Sequence, residues 1–499
     1  MPYALLFSIF VVAACGLAYE LVAAALSSYL VGDSVTQFST VIGVYLFAMG
    51  LGSWLSKHLQ RDLVASFIRI ELAVGLLGGF SAALLFYAFA WLSGPFLLLL
   101  YLLVGIIGVL VGLEIPLVMR LLEPRLAFKE LVSQVLSVDY IGALAVSLLF
   151  PLWLAPKLGM VRTALLFGLL NVAVALWTLW LFRAELPARR SLWAQGGVVL
   201  VLVLAGFVGA ERLSGFAENA LYEDRIVLAE STPYQRIVLT RWKNDVRLFL
   251  NGNLQFSSRD EYRYHEALVH PGLSSLPWAK RVLVLGGGDG LAVREILKYP
   301  QVESITLVEL DPAMPNLFKT HPALRALNGD AFSSPKVHVI NTDAFRWLES
   351  QQDAYDFIVV DFPDPTNYAV GKLYTNTFYR FVERALSARG RMVVQSTSPM
   401  YARHSFWTVV QTVESVGLTT QPYHALVPSF GEWGYILASR EPYTPGGKLP
   451  PGLRFVTPAT LPTLFNFPPD MARVPAEVNR LNNQLLVRTF EQEWKQVLR

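Results

Sequence analysis

Seven long apolar runs in the first 212 residues constrain this chain more than any other feature. A helix that crosses a bilayer needs about 20 mostly apolar residues, and each run reaches or approaches that length. We therefore expect residues 1–212 to form an α-helical membrane domain with about seven transmembrane helices. The runs lie near 4–30, 38–56, 64–92, 95–119, 131–155, 160–182 and 193–210.

Charged residues divide the chain at the same place. Residues 1–212 hold 22 Lys, Arg, Asp and Glu, about 10% of that stretch, whereas the other 287 residues hold 57, about 20%. The second proportion is usual for a water-soluble domain. The net charge of +3 gives no reason to expect a nucleic acid as partner, and the single cysteine excludes a disulfide scaffold.

Four acidic residues interrupt the apolar runs, where ionisable side chains are costly and often functional. Glu71 and Glu114 lie near the ends of their runs, so we expect them to reach the interface or to pair, Glu71 with Arg69 for example. Glu20 and Asp139 lie deeper. Two interpretations stay open for them: a hydrogen-bonded helix contact, or a cation site in which the two face one another across a polar cavity.

The second half changes its apolar period from helical to strand-like near residue 220. Stretches 225–230, 236–240 and 246–250 alternate or run apolar, and Asn251-Gly252 is a strong hairpin signal. These features predict a small antiparallel β-region within residues 213–275.

Strands and helices then alternate over residues 276–440. Predicted strands at 281–285, 304–310, 337–340, 357–361 and 390–395 are separated by helical stretches. This order predicts a soluble α/β domain with a Rossmann-like, doubly wound parallel sheet that binds ligands at the carboxyl ends of its strands. A Pro/Gly-rich stretch at 441–452 then opens a C-terminal segment, 441–499.

The loop after the first of these strands indicates a nucleoside site. Gly286, Gly287 and Gly288 permit a tight turn and close approach of a ligand, although such turns also occur without a ligand. Glu309 ends the next strand, where an acid typically accepts hydrogen bonds from a ribose. Asp289 would repel a pyrophosphate and attract a cation, which favours a sulfonium nucleoside over a dinucleotide.

Two further carboxylates, Asp361 and Asp364, follow the fourth strand. Paired acids at a strand end can hold an ammonium group, and one of them can take its proton as a general base. The alternative is a solvated loop stiffened by proline. A metal site is not expected, because no histidine pair of the metalloprotease kind and no second cysteine is present.

These motifs resemble the spermidine/spermine synthase (polyamine aminopropyltransferase) family over residues 230–440. The apolar spans and the tail at 470–494 resemble its membrane-bound bacterial branch. The matching motifs are TPYQ at 232–235, DEYRYHE at 260–266, VLVLGGGDGLAVRE at 282–295 and DFPDP at 361–365.

The resemblance implies transfer of an aminopropyl group from decarboxylated S-adenosylmethionine to a diamine such as putrescine, giving spermidine and methylthioadenosine without a cofactor. It implies that Asp361 accepts the proton of the amine. By the same likeness the amine chain is bound by His265, Asp289 and Asp364, and the donor nucleoside by Gln235, Gly286, Gly288, Glu309, Asp343 and Ala344.

The chain departs from the family pattern at three places, of which the first lies at the adenine edge and the last two bear on the acceptor. Ala344 stands where the family has glycine, Thr366–Tyr368 replaces a Gly-Pro continuation, and Phe430 replaces a tyrosine. The last two line the acceptor end in relatives, so putrescine, spermidine and other diamines stay open. Two other functions also stay open: a methyltransferase, disfavoured by the carboxylates, and a polyamine transporter or sensor with a catalytically weak domain.

The resemblance also implies a multi-pass protein of the bacterial inner membrane, and association into a homo-oligomer stays open. Basic loops at 57–61, 120–129 and 183–190 belong in the cytoplasm by the positive-inside rule, which after seven crossings puts the soluble half outside. The donor is made in the cytoplasm, however, and we therefore expect the catalytic domain on the cytoplasmic side.

Overall fold

The computed structural model describes residues 2–31, 34–92, 94–123, 127–186, 189–213, 215, 222, 224–442 and 446–497. The chain forms two compact units, Met1–Ile226 and Val227–Arg499. The predicted division at 212, 275 and 440 stays a prediction, and the basic loop expected at 120–129 lies partly outside the described residues.

The first unit is helical, as predicted. Each of the seven apolar runs corresponds to one helix, and the fifth run also includes the π-helical turn, Phe150–Leu154, that joins the fifth helix to the sixth. The helices are α1 (Pro2–Val31), α2 (Ser34–Leu55), α3 (Leu63–Trp91), α4 (Phe96–Leu122), α5 (Phe128–Leu149), α6 (Ala155–Leu181) and α7 (Arg189–Val208).

Six stretches of the described chain are long and apolar enough to cross a membrane. One of them, Lys129–Leu181, has 53 residues, about 80 Å of helix at 1.5 Å per residue and far more than a 30 Å hydrocarbon core requires. The helix is broken inside this stretch at Gly159, whose φ is 72°. The Thr163 hydroxyl donates to the Leu154 carbonyl across the break, 3.3 Å away. This stretch therefore accounts for two of the seven predicted runs.

Glycines let some of these helices pack backbone to backbone. A Cβ atom on Gly52 of α2 would collide with the Val109 carbonyl of α4, and one on Gly112 would collide with the Met49 carbonyl. Close approach at small residues is the usual means of holding helices together where no hydrophobic effect operates between them.

The second unit begins with a four-stranded sheet in the order β1-β2-β3-β4. The predicted hairpin turn is present, because Asn251 and Gly252 both have positive φ, 50° and 81°, between β3 and β4. The β-region prediction is confirmed. Its strands are β1 (Arg225–Ser231), β2 (Arg236–Trp242), β3 (Asp245–Leu250) and β4 (Asn253–Ser257).

A seven-stranded sheet forms the centre of the second unit. Five neighbouring strands are parallel, and a hairpin adds two antiparallel strands at one edge. The order is β10-β11-β9-β8-β5-β6-β7, with β5 (Arg281–Gly286), β6 (Ser304–Glu309), β7 (Val337–Asn341), β8 (Tyr355–Asp361), β9 (Leu386–Ser396), β10 (Thr419–Val427) and β11 (Gly431–Ser439).

The sheet confirms the predicted Rossmann-like fold, but the β10–β11 hairpin was not predicted. The edge strand β10 is mostly polar and contains Pro422, both of which weaken the sequence signal of a strand. Helices accompany the sheet: α8 (Glu261–Leu273), α9 (Leu291–Ile296), α10 (Ala313–Thr320), α11 (Pro322–Leu327), α12 (Ala344–Ser350), α13 (Tyr368–Gly371), α14 (Asn376–Ala385), α15 (Arg403–Glu414) and α16 (Leu485–Val497).

Helices cover both faces of the sheet, and alternate side chains of β5 pack against the helices of one face or the other. Val282 and Val284 belong to one buried cluster with residues of α8 and α9, whereas Leu283 and Leu285 belong to another with residues of α14 and α15. Because both faces are covered, β5 is apolar at every position from 282 to 285.

Candidate active site

The predicted site residues meet at one edge of the parallel sheet. Gly286 at the end of β5 pairs in register with Asp361 at the end of β8, and Glu309 at the end of β6 pairs with Asn341 of β7. The chain continues from β5 to β6 and β7 on one side and then returns to β8 on the other side of β5. Doubly wound sheets bind ligands at such a reversal of strand order. The structure therefore brings together the glycine loop, Glu309, Asp343 and Asp361.

Backbone geometry ties the glycine loop to Asp361. Gly286 and Gly287 have positive φ, 81° and 62°. A Cβ atom at Gly286 would collide with the Asp361 carbonyl, and the Gly287 N–H donates to that carbonyl at 3.1 Å. Only glycine allows this approach, so the loop and the carboxylate keep a fixed relation.

Gly288 leaves room for Glu309. A Cβ atom there would lie 2.7 Å from the Glu309 Oε2 atom. Burial, together with the charges of Asp311 and Asp289, raises the pKa of Glu309 to about 7, although hydrogen bonds from the N–H groups of Asp311 and Gly288 oppose the rise. A half-buried carboxylate of this kind gains from hydroxyl donors such as those of a ribose.

Gly288→Ala should weaken donor binding by about tenfold or more, since the added methyl group displaces the Glu309 carboxylate by a fraction of an ångström or more. The φ of Gly288 is not in the left-handed region, so alanine fits the backbone and the protein should stay folded. The KM for the donor and the melting temperature check this. An unchanged KM would show that Glu309 does not bind the donor.

Gln235 is linked to Glu309 through Asp311, a residue that the sequence analysis did not assign to the site. The buried Asp311 carboxylate accepts hydrogen bonds from the Gln235 amide at 2.9 Å and from the Thr232 hydroxyl at 2.7 Å. The Asp311 N–H donates to Glu309 at 3.0 Å. The only feature of the sequence that could have indicated Asp311 is its position two residues after Glu309, the acid at the end of β6.

Asp343 and Ala344 lie at the start of α12, after β7. One Asp343 oxygen accepts the Phe345 N–H at 2.8 Å, and the other pairs with the Lys372 ammonium at 2.6 Å. Burial acts to raise the pKa of Asp343, but Lys372 and the helix N–H groups outweigh it and the pKa is lowered. Lys372 was missed because it is 29 residues away in sequence. The role of Asp343 and Ala344 at the nucleoside stays a prediction.

Asp361 is held by a tyrosine that the sequence analysis did not assign. The Tyr264 hydroxyl of α8 donates to Asp361 Oδ1 at 2.6 Å. Burial, together with the negative charge of Asp289, raises the pKa of Asp361 to about 6, although His265 and the Tyr264 hydrogen bond oppose the rise. A carboxylate with such a pKa can accept a proton near neutral pH.

His265 acts on the site from a buried position. Its Nδ1 atom lies 2.9 Å from a Glu261 carboxylate oxygen, and Glu261 in turn forms a bidentate pair with Arg294. Burial acts to lower the pKa of His265, but Glu261, Asp289 and Asp361 outweigh it and the pKa is raised. In its protonated form, the imidazole offsets some of the negative charge of Asp289 and Asp361, and a direct contact with the amine stays a prediction.

Asp289 places a carboxylate inside the glycine loop. Its Oδ1 accepts the Leu291 N–H at 2.9 Å. Burial raises the pKa of Asp289, while the nearby His265 partly opposes that rise. A bound ammonium group would offset the remaining cost of this charge.

Asp364 lies in a polar network at the other end of the site. Burial raises its pKa to about 7, opposed by hydrogen bonds from Gln395 and Thr397, and its Oδ1 atom is buried without a partner among the described residues. Gln395 also donates to the Tyr374 hydroxyl and accepts the Trp433 indole N–H at 3.1 Å. Gln395 and Trp433 come from β9 and β11, which local sequence patterns do not bring together.

Phe430, the residue that departs from the family pattern, forms an apolar wall beside these acids. Its ring lies 6.1 Å from Tyr264 and 5.2 Å from Trp433, centroid to centroid. Phe430 thus joins Tyr264, the hydrogen-bond partner of Asp361, to Trp433, the hydrogen-bond partner of Gln395. Within the described residues no group of three His, Cys, Asp or Glu side chains is arranged to hold a metal ion.

The cation site considered for Glu20 and Asp139 stays a prediction. Glu20 is buried and Asp139 is half-buried, and neither forms a hydrogen bond or ion pair with a described residue. Glu71 and Glu114 were expected to reach the interface or to pair. They are 0% and 1% exposed, and Glu71 accepts a hydrogen bond from Asn171 of α6.

Comparison with known proteins covers both halves of the chain. Residues 261–445 match the spermine/spermidine synthase domain. A polyamine aminopropyltransferase of Ralstonia nicotianae is 58% identical over 99% of each chain. One from Leptospira interrogans is 53% identical over the whole of both chains, and one from Mycobacterium tuberculosis is 38% identical over 97% of this chain and 94% of its own.

Proposed function

This chain belongs to the spermine/spermidine synthase family, and we propose how its residues divide the family's reaction between donor and acceptor. It is a polyamine aminopropyltransferase that uses decarboxylated S-adenosylmethionine and releases methylthioadenosine. The observation that supports the residue assignment is the closeness of Asp289 to both Asp361 and Glu309 at the sheet edge. A methyl donor would bring its own carboxylate into this acidic cleft, which disfavours the methyltransferase alternative.

The donor lies across the glycine loop. Glu309 accepts the ribose hydroxyls, Gln235 is held beside it by Asp311, and the terminal ammonium of the aminopropyl group faces Asp289. Ordinary S-adenosylmethionine carries a carboxylate next to that ammonium, which Asp289 repels. Charge repulsion therefore selects the decarboxylated donor.

The reaction is a displacement at carbon. The acceptor nitrogen forms a bond to the aminopropyl carbon while the carbon–sulfur bond breaks, and the sulfur leaves as a neutral thioether. The nitrogen must first lose a proton, which passes to Asp361. The rest of the rate enhancement comes from orientation of the two substrates in line.

Putrescine fits the acceptor end best. Its distal ammonium meets the Asp364 oxygen that has no partner among the described residues, and its methylene chain lies against Phe430 and Trp433. Spermidine would bring a charged secondary amine to that aromatic surface, which costs free energy unless a carboxylate reaches it.

The test is mass spectrometry of the products formed by the full-length protein in detergent. Decarboxylated S-adenosylmethionine is supplied with putrescine, cadaverine or spermidine in separate reactions. Spermidine should be the main product, formed from putrescine. Product from spermidine alone would overturn the acceptor assignment, and no product with any amine would favour the sensor or transporter alternative.

Tyr264→Phe should move the acidic limb of the kcat/KM profile to higher pH. The Tyr264 hydrogen bond stabilises the charged form of Asp361, so its loss raises the pKa above about 6. Asp361 must be deprotonated to act, and activity is therefore lost at a higher pH as the pH falls. Tyr262→Phe, on the same helix but packed against Arg454, is the matched control. Identical profiles for wild type and Tyr264→Phe would contradict the assignment.

We also assign the apolar helices to a membrane, with the catalytic unit in the cytoplasm where the donor is made. The length and apolarity of six stretches support the first statement. A reporter active only in the periplasm, fused to the C-terminus, should give no signal. A homo-oligomer stays a prediction.

A further inference from the structure

A pair of buried carboxyl groups lies inside the helical unit, and neither has been assigned a role in aminopropyl transfer. Glu71 of α3 and Glu114 of α4 are 0% and 1% exposed, and their carboxyl groups lie close enough to interact directly. Two carboxylates accept hydrogen bonds but cannot donate them, so this contact requires a proton on one of the two groups. The pair is therefore a proton-binding unit.

Two other helices orient the pair. The Asn171 amide of α6 donates to Glu71 Oε2 at 2.7 Å, and the Tyr19 hydroxyl of α1 donates to Asn171 Oδ1 at 2.7 Å. Both residues are buried. This chain of donors ends at Glu71 and fixes its carboxyl group as an acceptor.

The pair has fewer partners than its charge requires. Glu71 Oε1 and Glu114 Oε1 are buried and receive no hydrogen bond from an amide, hydroxyl or basic group of the described residues. Neither acid has an ion-pair partner within the described part of the chain. The other titratable groups that act on them from α1, α2 and α5 are neutral or acidic: Cys15, Tyr19, Tyr45 and Asp139.

Because the groups around Glu71 and Glu114 are neutral or acidic, one negative charge of the pair remains to be balanced. With one shared proton the pair has a net charge of −1 inside an apolar bundle, and an uncompensated buried charge costs several kcal/mol. A second proton or a bound cation removes that cost. A net charge of −1 is matched by one monovalent cation and not by a whole polyamine, which carries several charges.

We propose that Glu71 and Glu114 form a monovalent-cation site in the helical unit, which keeps one shared proton and exchanges a second proton for an alkali or primary ammonium ion. The exchange is balanced, since one cation enters for each proton released. It gives the helices a binding function separate from anchoring the transferase.

Carbodiimide labelling of the full-length wild-type protein in detergent tests this site. Dicyclohexylcarbodiimide reacts with protonated carboxyl groups in apolar surroundings, and mass spectrometry of peptides locates the adduct. At pH 7 we expect modification of Glu71 or Glu114, slowed severalfold by sodium, potassium or methylammonium chloride but not by choline chloride. Protection by the metal ions alone or by methylammonium alone identifies which kind of cation binds. Modification of neither residue, or equal rates in all four salts, would overturn the proposal.

Variants separate a binding role from a structural one. In Glu71→Gln, Glu114 should still be modified but no longer protected by the cations, because the cation loses the carboxylate oxygen ligands of Glu71 and no longer binds. Glu20→Gln removes a buried acid outside the network and should keep full protection. Aminopropyl transfer should be unchanged in both variants. Retained protection in Glu71→Gln would contradict a site made by the pair.

Discussion

Asp361→Asn should lower kcat by about 10²-fold or more while leaving donor affinity within a few-fold of wild type, because a general base contributes about 10²–10⁴-fold. Asparagine keeps the shape of the side chain and can still meet the Tyr264 hydroxyl, but it cannot take a proton at neutral pH. The acceptor amine then stays protonated, and a protonated nitrogen has no lone pair for the displacement.

Single-turnover rates and calorimetric titration of the donor separate the two effects. The control is Asp353→Asn, which removes an exposed carboxylate paired with Arg281 just before the same strand begins. It should have normal turnover. Near-normal turnover in Asp361→Asn would remove this residue from the proton transfer and leave Asp364 as the remaining candidate.

The donor half of the site was predictable because its residues follow consecutive strands. Parallel strands end at one sheet edge, so the order of the chain alone placed the glycine loop, Glu309 and Asp361 together. The acceptor half was not predictable in the same way. Gln395 and Trp433 meet because β11 returns between β10 and β9, a pairing that no local pattern encodes. Tyr264 required knowledge of which face of α8 turns towards the sheet.

The membrane-half acids show a similar limit. Run lengths predicted the helices, because about 20 apolar residues leave few alternatives. Glu71 nevertheless lies eight residues after the start of α3 at Leu63, and Glu114 lies eight residues before the end of α4 at Leu122. Helices joined by a short connection are antiparallel neighbours, so both acids lie about 12 Å from the same end. That symmetry was present in the sequence, but the rotation of each helix about its axis was not.

Asp289→Asn should weaken binding of decarboxylated S-adenosylmethionine by about 10²-fold or more, the effect of removing one partner of a buried, hydrogen-bonded charge pair. Binding of intact S-adenosylmethionine should change much less, because that ligand also loses the repulsion between Asp289 and its own carboxylate. The ratio of the two affinities, measured by calorimetry near pH 8, should therefore fall towards one.

The stability of the ligand-free Asp289→Asn variant tests whether its weaker donor binding is caused by unfolding. Burial raises the pKa of Asp289 in the folded state above its unfolded value, so its contribution to stability is present at low pH and is lost as the pH rises through the folded pKa. Asparagine removes this penalty, and the variant should melt no lower than wild type near pH 8. Asp330→Asn, which removes an exposed acid paired with Arg325, is the control for donor binding. Unchanged discrimination between the two donors in Asp289→Asn would show that another group selects the decarboxylated form.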